Sequence, residues 1–94
     1  MEQHISYKLP VTIFRGGKHF VAYSPAVDLS SSGKSEQEAR RMFTEAVEIL
    51  FEELTDMGTL DIVLKDLGWT KAKGHFQPPE IVDHSVMNIQ VATV

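Results

Sequence analysis

The segment from residue 35 to residue 58 constrains the fold most, because both ends of a helix are encoded in it. Ser35 precedes Glu38 by three positions, the capping-box spacing in which the Ser35 hydroxyl accepts the Glu38 N–H and the Glu38 carboxylate reaches back to the Ser35 N–H. Gly58 lies where a left-handed residue ends a helix. The residues between them that recur at the helical period are Ala39, Met42, Phe43, Ala46, Val47, Leu50, Leu54 and Met57. The segment therefore predicts one long amphipathic helix packed on a sheet.

The apolar sector of this helix is wider than one sheet requires. Ile49 extends it on one flank and Phe51 on the other, to roughly 200° where a stripe of about 100° suffices. A short second helix is predicted from Leu60 to Leu67, with Thr59 as its N-cap and Gly68 after its end. Either that helix or a second subunit covers the excess, so Ile49 and Phe51 are candidates for the interface of a homodimer or tetramer.

The first third of the chain predicts three antiparallel strands. A first strand runs from about His4 to Phe14, with Pro10 placing it at an edge or a bulge. The Gly16-Gly17 pair suits a two-residue hairpin turn, and a second strand follows from Lys18 to Ser24. Residues 27–32 return as a third short strand.

The last quarter of the chain predicts a linker and then one more strand. Gly74 and the Pro78-Pro79 pair stop regular structure within residues 69–79. From Glu80 to Val94 apolar residues occupy both parities, which predicts a strand covered on both sides or covered by another subunit. Met87 and Ile89 are therefore further candidates for an oligomer interface. The whole chain, residues 1–94, is predicted to be a single α+β domain with an antiparallel βββαβ sheet, one long helix and a short second helix.

The formal net charge of −4 conceals a strongly acidic middle third. Residues 35–66 contain nine acidic and three basic residues, a balance of −6. An acidic face repels phosphate backbones and attracts a basic protein, whereas an ordinary solvated helix face has the same composition. A basic protein partner is therefore favoured over nucleic acid on this face.

Residue types and spacings argue against catalysis. The chain has no Cys, and its four His residues lack metal-ligand spacing. The serines at 30–32 are explained by turn chemistry. We therefore predict no enzymatic activity, no metal site and no cofactor.

One alternative remains open, a metal-dependent nuclease or RNA-binding domain. Asp28 with Glu45 or Glu48 could hold Mg²⁺ for phosphodiester cleavage, although both glutamates fall on the polar arc of the helix. The residues that would grip RNA are Trp69, Lys71 and Lys73.

The location predicted is the cytoplasm, with no membrane partner. The opening residues Met-Glu-Gln-His-Ile-Ser lack the basic and apolar regions of a secretion signal. The apolar runs are far shorter than the roughly 20 residues of a spanning helix. The absence of Cys is consistent with a reducing compartment.

Residues 19–39, HFVAYSPAVDLSSSGKSEQEA, followed by the amphipathic helix, resemble the HicB-like antitoxin domain. That family shows a strand ending in an aromatic residue and a Pro, a short strand with Asp or Gly, a Gly turn, and a Ser or Thr that opens a helix. The matching positions are Tyr23, Ser24, Pro25, Asp28, Gly33, Ser35, Glu38 and Ala39. The resemblance covers most of residues 5–57.

The resemblance implies a small prokaryotic domain, similar to a truncated ribonuclease-H fold, that binds and neutralises a small basic mRNA-cleaving toxin of the HicA type. Tyr23, Pro25 and Asp28 are candidate partner-binding residues, or else they set the bend between the second and third strands. Family members usually carry a C-terminal DNA-binding module, but Glu80 to Val94 supplies at most one strand, so DNA binding is not predicted. A structural oligomer with no toxin partner has the same sequence features.

Overall fold

The computed structural model describes residues 5–93 and has an α+β architecture. Its elements in chain order are β1 (Thr12–Gly16), β2 (His19–Ser24), β3 (Leu29–Gly33), α1 (Glu36–Met57), α2 (Leu60–Asp66), β4 (Thr70–Ala72) and β5 (His75–Gln77). Strands β1, β2 and β3 form an antiparallel sheet in that order, and β4 and β5 form a separate hairpin. Helix α1 packs across the sheet, chiefly on β3 and β2. The predicted α+β class, with a three-stranded sheet, a long helix and a short one, is confirmed.

The N-terminus of α1 is capped as predicted, with one change of partner. The Ser35 hydroxyl accepts the Glu38 N–H at 3.0 Å. The Glu38 carboxylate accepts the N–H of Lys34 at 3.0 Å, not that of Ser35. Because that amide also lies ahead of the first helical turn, the carboxylate still fixes the entry of the chain into the helix.

The C-terminus of α1 falls at the predicted glycine. Gly58 has a φ of +71°, in the left-handed region. The Gly58 N–H donates to the Thr55 carbonyl at 3.1 Å and the Thr59 N–H donates to the Leu54 carbonyl at 3.0 Å, which is the Schellman arrangement. The chain then turns directly into α2, which ends just before Gly68 (φ +95°), also as predicted. The Thr59 hydroxyl, however, makes no capping bond and is buried without a partner.

Strand β1 starts at Thr12, later than predicted, because two prolines end the pairing of β1 with β2. The hairpin turn is Gly17-Lys18, since Gly16 pairs with His19, and Thr12 pairs with Tyr23 at the far end. Hydrogen-bonded pairs alternate along such a ladder, so the next hydrogen-bonded position would oppose Pro10 and Pro25. Neither proline has an N–H, and pairing stops. Residues 5–11 therefore have no strand partner within residues 5–93, and His4 lies outside the described residues.

Two predictions about the last quarter of the chain are wrong. Residues 69–79 were expected to be a linker but contain the β4–β5 hairpin, whose turn residues Lys73 and Gly74 have φ values of +53° and +79°. Positive φ at both positions is the type I′ turn that suits a tight hairpin. Residues 80–93 form no strand, because no edge within residues 5–93 pairs with them, and all of them are exposed.

Trp69 closes the core. The buried residues described are Ala22, Ser24, Ala26, Val27, Gly33, Ala39, Phe43, Leu64 and Trp69. The Trp69 indole is 3% exposed and its N–H donates to the Ala26 carbonyl at 2.7 Å. Tyr7 and Phe51 pack on the same indole, with ring centroids 5.1 and 5.9 Å away. The chain following α2 is thereby joined to the β2–β3 loop.

Gly33 lets β3 approach the start of α1 closely. A Cβ at this position would lie 2.5 Å from the Ala39 backbone N and 2.8 Å from the Glu38 Cβ. Both neighbours belong to the first turns of the helix and are held by the Ser35 cap. The glycine is therefore required by space, not by a left-handed φ.

We expect Gly33→Ala to lower the free energy of unfolding by about 2 kcal/mol or more, because the added methyl forces the helix away from the sheet. Gly16→Ala is the matched control, since a Cβ there meets only the Val21 Cγ2 at 3.9 Å. The measurement is urea unfolding followed by circular dichroism. Equal losses in the two variants would contradict this assignment.

We also expect Trp69→Phe to cost about 2 kcal/mol, because it leaves the buried Ala26 carbonyl without its donor. Tyr7→Phe keeps the ring that packs on Trp69 and should cost less than about 0.5 kcal/mol. Both values come from urea midpoints measured by circular dichroism. A Trp69→Phe variant as stable as the parent would show that the indole hydrogen bond is dispensable.

Candidate functional site

The outward side of α1 presents a row of carboxylates, which we call the acidic stripe: Glu45, Glu48, Glu52 and Asp56. All four are exposed. Their spacing of three or four residues places them within an arc of about 80° on the helix. Within residues 5–93 none of them forms an ion pair; the ion pairs found there are Arg40–Glu36 at 3.8 Å and Lys71–Asp61 at 3.3 Å. The acidic stripe therefore faces solvent without an ion pair to any base within residues 5–93.

Apolar side chains border the acidic stripe on one side. Ile49 is 55% exposed and Met42 is 40% exposed. They are seven residues apart, so they lie one above the other on the helix, next to Glu45. Met42 was predicted to belong to the core-facing sector; its place at the border of that sector leaves it partly outside the contact with the sheet.

The two flanks of the apolar sector of α1, marked by Ile49 and Phe51, have different surroundings. Phe51 is half-buried, packed between Tyr7 and Trp69, with ring centroids 6.0 and 5.9 Å away. Its flank is thus filled largely by the chain itself. Ile49 has no such cover and remains the exposed flank, so a subunit contact there stays a prediction.

The sheet has a second face, opposite α1, which we call the open sheet face. Ala22 and Ser24 are buried beneath the helix, so alternation directs Val21 and Tyr23 to the other side. The register adds their neighbours, and the side chains of this face are Thr12, Phe14, Val21, Tyr23, Ser30 and Ser32. Phe14 is exposed there. The open sheet face therefore offers aromatic rings among small hydroxyl groups.

Tyr23, Pro25 and Asp28 lie together at the end of the open sheet face. Residues 25–28 connect β2 to β3, with Pro25 and Asp28 exposed. The Tyr23 hydroxyl donates to an Asp28 carboxylate oxygen at 3.0 Å, and Asp28 has a φ of +47°. Asp tolerates this left-handed conformation better than most residues. The three residues therefore shape the bend between the strands, and their contact with a partner stays a prediction.

The same pair perturbs the Tyr23 phenol. The hydrogen bond to Asp28 raises the pKa of Tyr23, with smaller contributions from burial and from the negative charge of Asp28. Both interactions with Asp28 favour the neutral phenol over the phenolate.

The residues proposed to grip RNA are engaged within the chain. Trp69 is buried, so its ring faces are covered by protein in this conformation. The Lys71 ammonium lies 3.3 Å from the Asp61 carboxylate and 5.1 Å from the centre of the Phe76 ring. Lys73 is exposed in the tight turn. In this conformation the Trp69 ring is therefore not exposed to stack on an RNA base beside these lysines.

The carboxylates named for a metal site are not brought together. Asp28 bonds to Tyr23 at the end of the open sheet face, whereas Glu45 and Glu48 belong to the acidic stripe on the outward side of α1. Among residues 5–93 no group of three or more His, Asp or Glu side chains is arranged to hold a metal ion. The helices of the same residues include none that is long and apolar enough to cross a membrane.

Comparisons with models of protein families, with curated proteins and with solved structures find no match for this chain. The surfaces described above are therefore the basis for assigning a function.

Sequence reasoning located the acidic block but missed two features of these surfaces. It did not separate the acidic stripe from the other acids, although the spacing of three and four residues was readable. It also missed that residues 5–11 leave the sheet unpaired and place Tyr7 against α1, because nothing local shows that Pro10 will oppose Pro25.

We expect Asp28→Asn to lower the pKa of Tyr23 toward its ordinary value, because the carboxylate that favours the neutral phenol is gone. The measurement is a spectrophotometric phenolate titration in a Tyr7→Phe background, which leaves Tyr23 as the one remaining tyrosine. Since the folded pKa is raised, the stability that this bond contributes is present below the unfolded pKa and lost as pH rises through the folded value. An unchanged pKa would contradict the hydrogen bond.

Proposed function

We propose that this chain is an antitoxin-like protein-binding module that binds and neutralises a small basic mRNA-cleaving toxin of the HicA type. The observation that carries the proposal is the acidic stripe, four exposed carboxylates on one side of α1 without partners within residues 5–93. The resemblance of residues 19–39 and the following helix to the HicB-like antitoxin domain supplies the class of partner.

The charge of the acidic stripe supports a basic protein over a nucleic acid. Residues 35–66 have a balance of −6, and most of that charge lies on exposed positions of α1. A surface of one sign raises the rate of association with an oppositely charged partner by about 10- to 1,000-fold at low salt. The same field repels the phosphate backbone of RNA.

Apolar groups beside the acidic stripe supply binding free energy that its charges do not. Exposed ion pairs contribute only about 0–1 kcal/mol each, so charge mainly steers and orients a partner. Stable binding needs apolar anchors that exclude water. Ile49 and Met42 border the acidic stripe and are exposed enough to serve as such anchors.

The remaining parts of the proposal concern assembly and location. Tyr23, Pro25 and Asp28 form a further contact with the toxin at the end of the open sheet face. The module self-associates as a homodimer or tetramer and acts in the cytoplasm. The exposed Ile49 and the exposed apolar residues 86–91 are consistent with self-association.

The test is binding to the small basic protein encoded by the adjacent gene. Co-expression should allow the two proteins to be purified together and should relieve growth inhibition by the neighbour. We expect Glu52→Lys with Asp56→Lys to weaken binding at least tenfold and to leave the melting temperature and the helix content unchanged, because both positions are exposed. Titration calorimetry measures the affinity.

The matched control is Asp61→Lys with Asp66→Lys, which makes the same change in net charge at exposed positions of α2, outside the acidic stripe. It should retain affinity within about threefold. A neighbour that neither binds nor inhibits growth would contradict the antitoxin role, and equal losses in both double variants would show that only net charge matters.

A further inference from the structure

Residues 80–93, which we call the C-terminal arm, expose most of their apolar surface. Val86 is 99% exposed, and Met87, Ile89 and Val91 are 72%, 69% and 75% exposed. The segment forms no helix or strand. In the isolated chain these apolar side chains remain in contact with water. Burying them against another surface would lower the free energy of the arm.

The composition of the C-terminal arm favours aggregation as long as its apolar side chains stay exposed. Residues 85–93 are Ser-Val-Met-Asn-Ile-Gln-Val-Ala-Thr, with no charged side chain and no proline. Uncharged segments with high β-propensity pair with copies of themselves and aggregate when left open. A protein that stays dispersed must therefore pair this segment with a defined edge.

The start of the C-terminal arm is fixed to the body of the protein. Pro78 and Pro79 are half-buried, and a Cβ built at Gly68 would lie 3.6 Å from the Pro79 Cβ. The prolines restrict the backbone at this point. The described chain measures 54 × 28 × 23 Å with a radius of gyration of 15.9 Å, against about 12 Å for a compact chain of this length. The C-terminal arm therefore extends away from its own body.

A groove with the features needed to receive such an arm lies between residues 5–11 and α1. We call it the N-terminal groove. Residues 5–11 make no backbone hydrogen bond to any other part of residues 5–93. Two adjoining cavities of about 220 and 290 Å³ lie between this segment and the helix. Both are lined by Tyr7, Leu9, Val47 and Glu48, with Ile5 and Phe51 in one and Val11, Phe43 and Thr44 in the other. The N-terminal groove thus combines an unpaired backbone with walls that are apolar except for Glu48 and Thr44 at the helix.

We propose that the C-terminal arm of one copy lies as an added strand along residues 5–11 of a second copy, with Met87, Ile89 and Val91 in the N-terminal groove. The exchange is reciprocal, so each copy donates one arm and receives one. Main-chain hydrogen bonds to residues 5–11 and alternate side chains in the cavities are the two elements of strand addition. This inference rests on the self-association that the proposed function includes, and it names the segments responsible.

The size of this contact fits a stable dimer. Residues 80–93 and 5–11 together provide 21 residues per copy before any helix residue is counted, and specific interfaces use roughly 20–30 residues a side. Residues 80–93 span up to about 46 Å when extended, enough to leave one body and follow the groove of another. Lys8 in the receiving segment and Asp83 in the C-terminal arm have opposite charges.

The first experiment exploits the absence of cysteine from the chain. Copies bearing Ile5→Cys and copies bearing Met87→Cys are mixed and treated with a short bismaleimide, which tolerates some uncertainty of register. We expect a cross-linked species that contains one chain of each kind, and little product from either copy alone. A third chain carries both substitutions. If it cross-links only within itself, at monomer mass, and the mixed copies give no product, the arm folds onto its own body and the exchange is overturned.

The second experiment measures mass by light scattering at micromolar concentration. The parent chain should have twice the 10.5 kDa of one chain, and Met87→Glu with Ile89→Glu should reduce it to one chain, with a dimer Kd raised at least tenfold. Met57→Glu with Ile62→Glu, at exposed helical positions, is the matched control and should remain dimeric. A monomeric parent, or a dimer that the arm variant leaves intact, would overturn the proposal.

The two proposals fail separately. Glu52→Lys with Asp56→Lys should abolish binding to the basic neighbour and leave the dimer mass unchanged, because neither residue lines the N-terminal groove or belongs to the C-terminal arm. A chain that dimerises through its arm but binds no neighbour would refute the antitoxin role alone. A chain that binds the neighbour as a monomer would refute the arm exchange alone.

Discussion

The hydrogen bond from the Trp69 indole to the Ala26 carbonyl holds this small fold closed. It joins two points 43 residues apart in sequence, the chain after α2 and the loop between β2 and β3. Tyr7 and Phe51 pack on the same ring, so the bond also gathers the N-terminal segment and the end of α1 around one side chain. A core this small gains much from one large aromatic whose polar edge is satisfied. Through Tyr7 and Phe51, it helps to fix the segment 5–11 and α1, the two sides of the N-terminal groove.

Helix α1 packs on the core with one side and exposes the acidic stripe on the other. Its inward residues meet β2 and β3, and its entry is fixed by the Ser35 cap and by the close approach that Gly33 permits. Because a helix rigidly fixes the angular spacing of its side chains, anchoring one side also sets the carboxylates of the acidic stripe in a straight row. Stability and the proposed partner recognition thus depend on the same helix but on different residues of it.

The N-terminal groove and the C-terminal arm have one cause each. Pro10 opposite Pro25 ends the β1–β2 ladder and leaves residues 5–11 beside α1 with free backbone groups. The half-buried Pro78 and Pro79 direct the uncharged segment that follows away from the body. Each feature alone would be a liability, since unpaired edges and open apolar segments aggregate. In the proposed arm exchange between two copies, each feature covers the other.

The sequence by itself determined the elements whose causes are local. The Ser35 cap, the Schellman end at Gly58 and the apolar period between them set α1, because capping and periodicity involve residues at most a turn apart. Tertiary structure decided what depends on distant neighbours: the early end of β1, which needs the register that opposes Pro10 to Pro25, and the burial of Trp69, which needs a carbonyl 43 residues away. It also decided that residues 80–93 form no strand in this chain, because a strand exists only where an edge is present to pair with it.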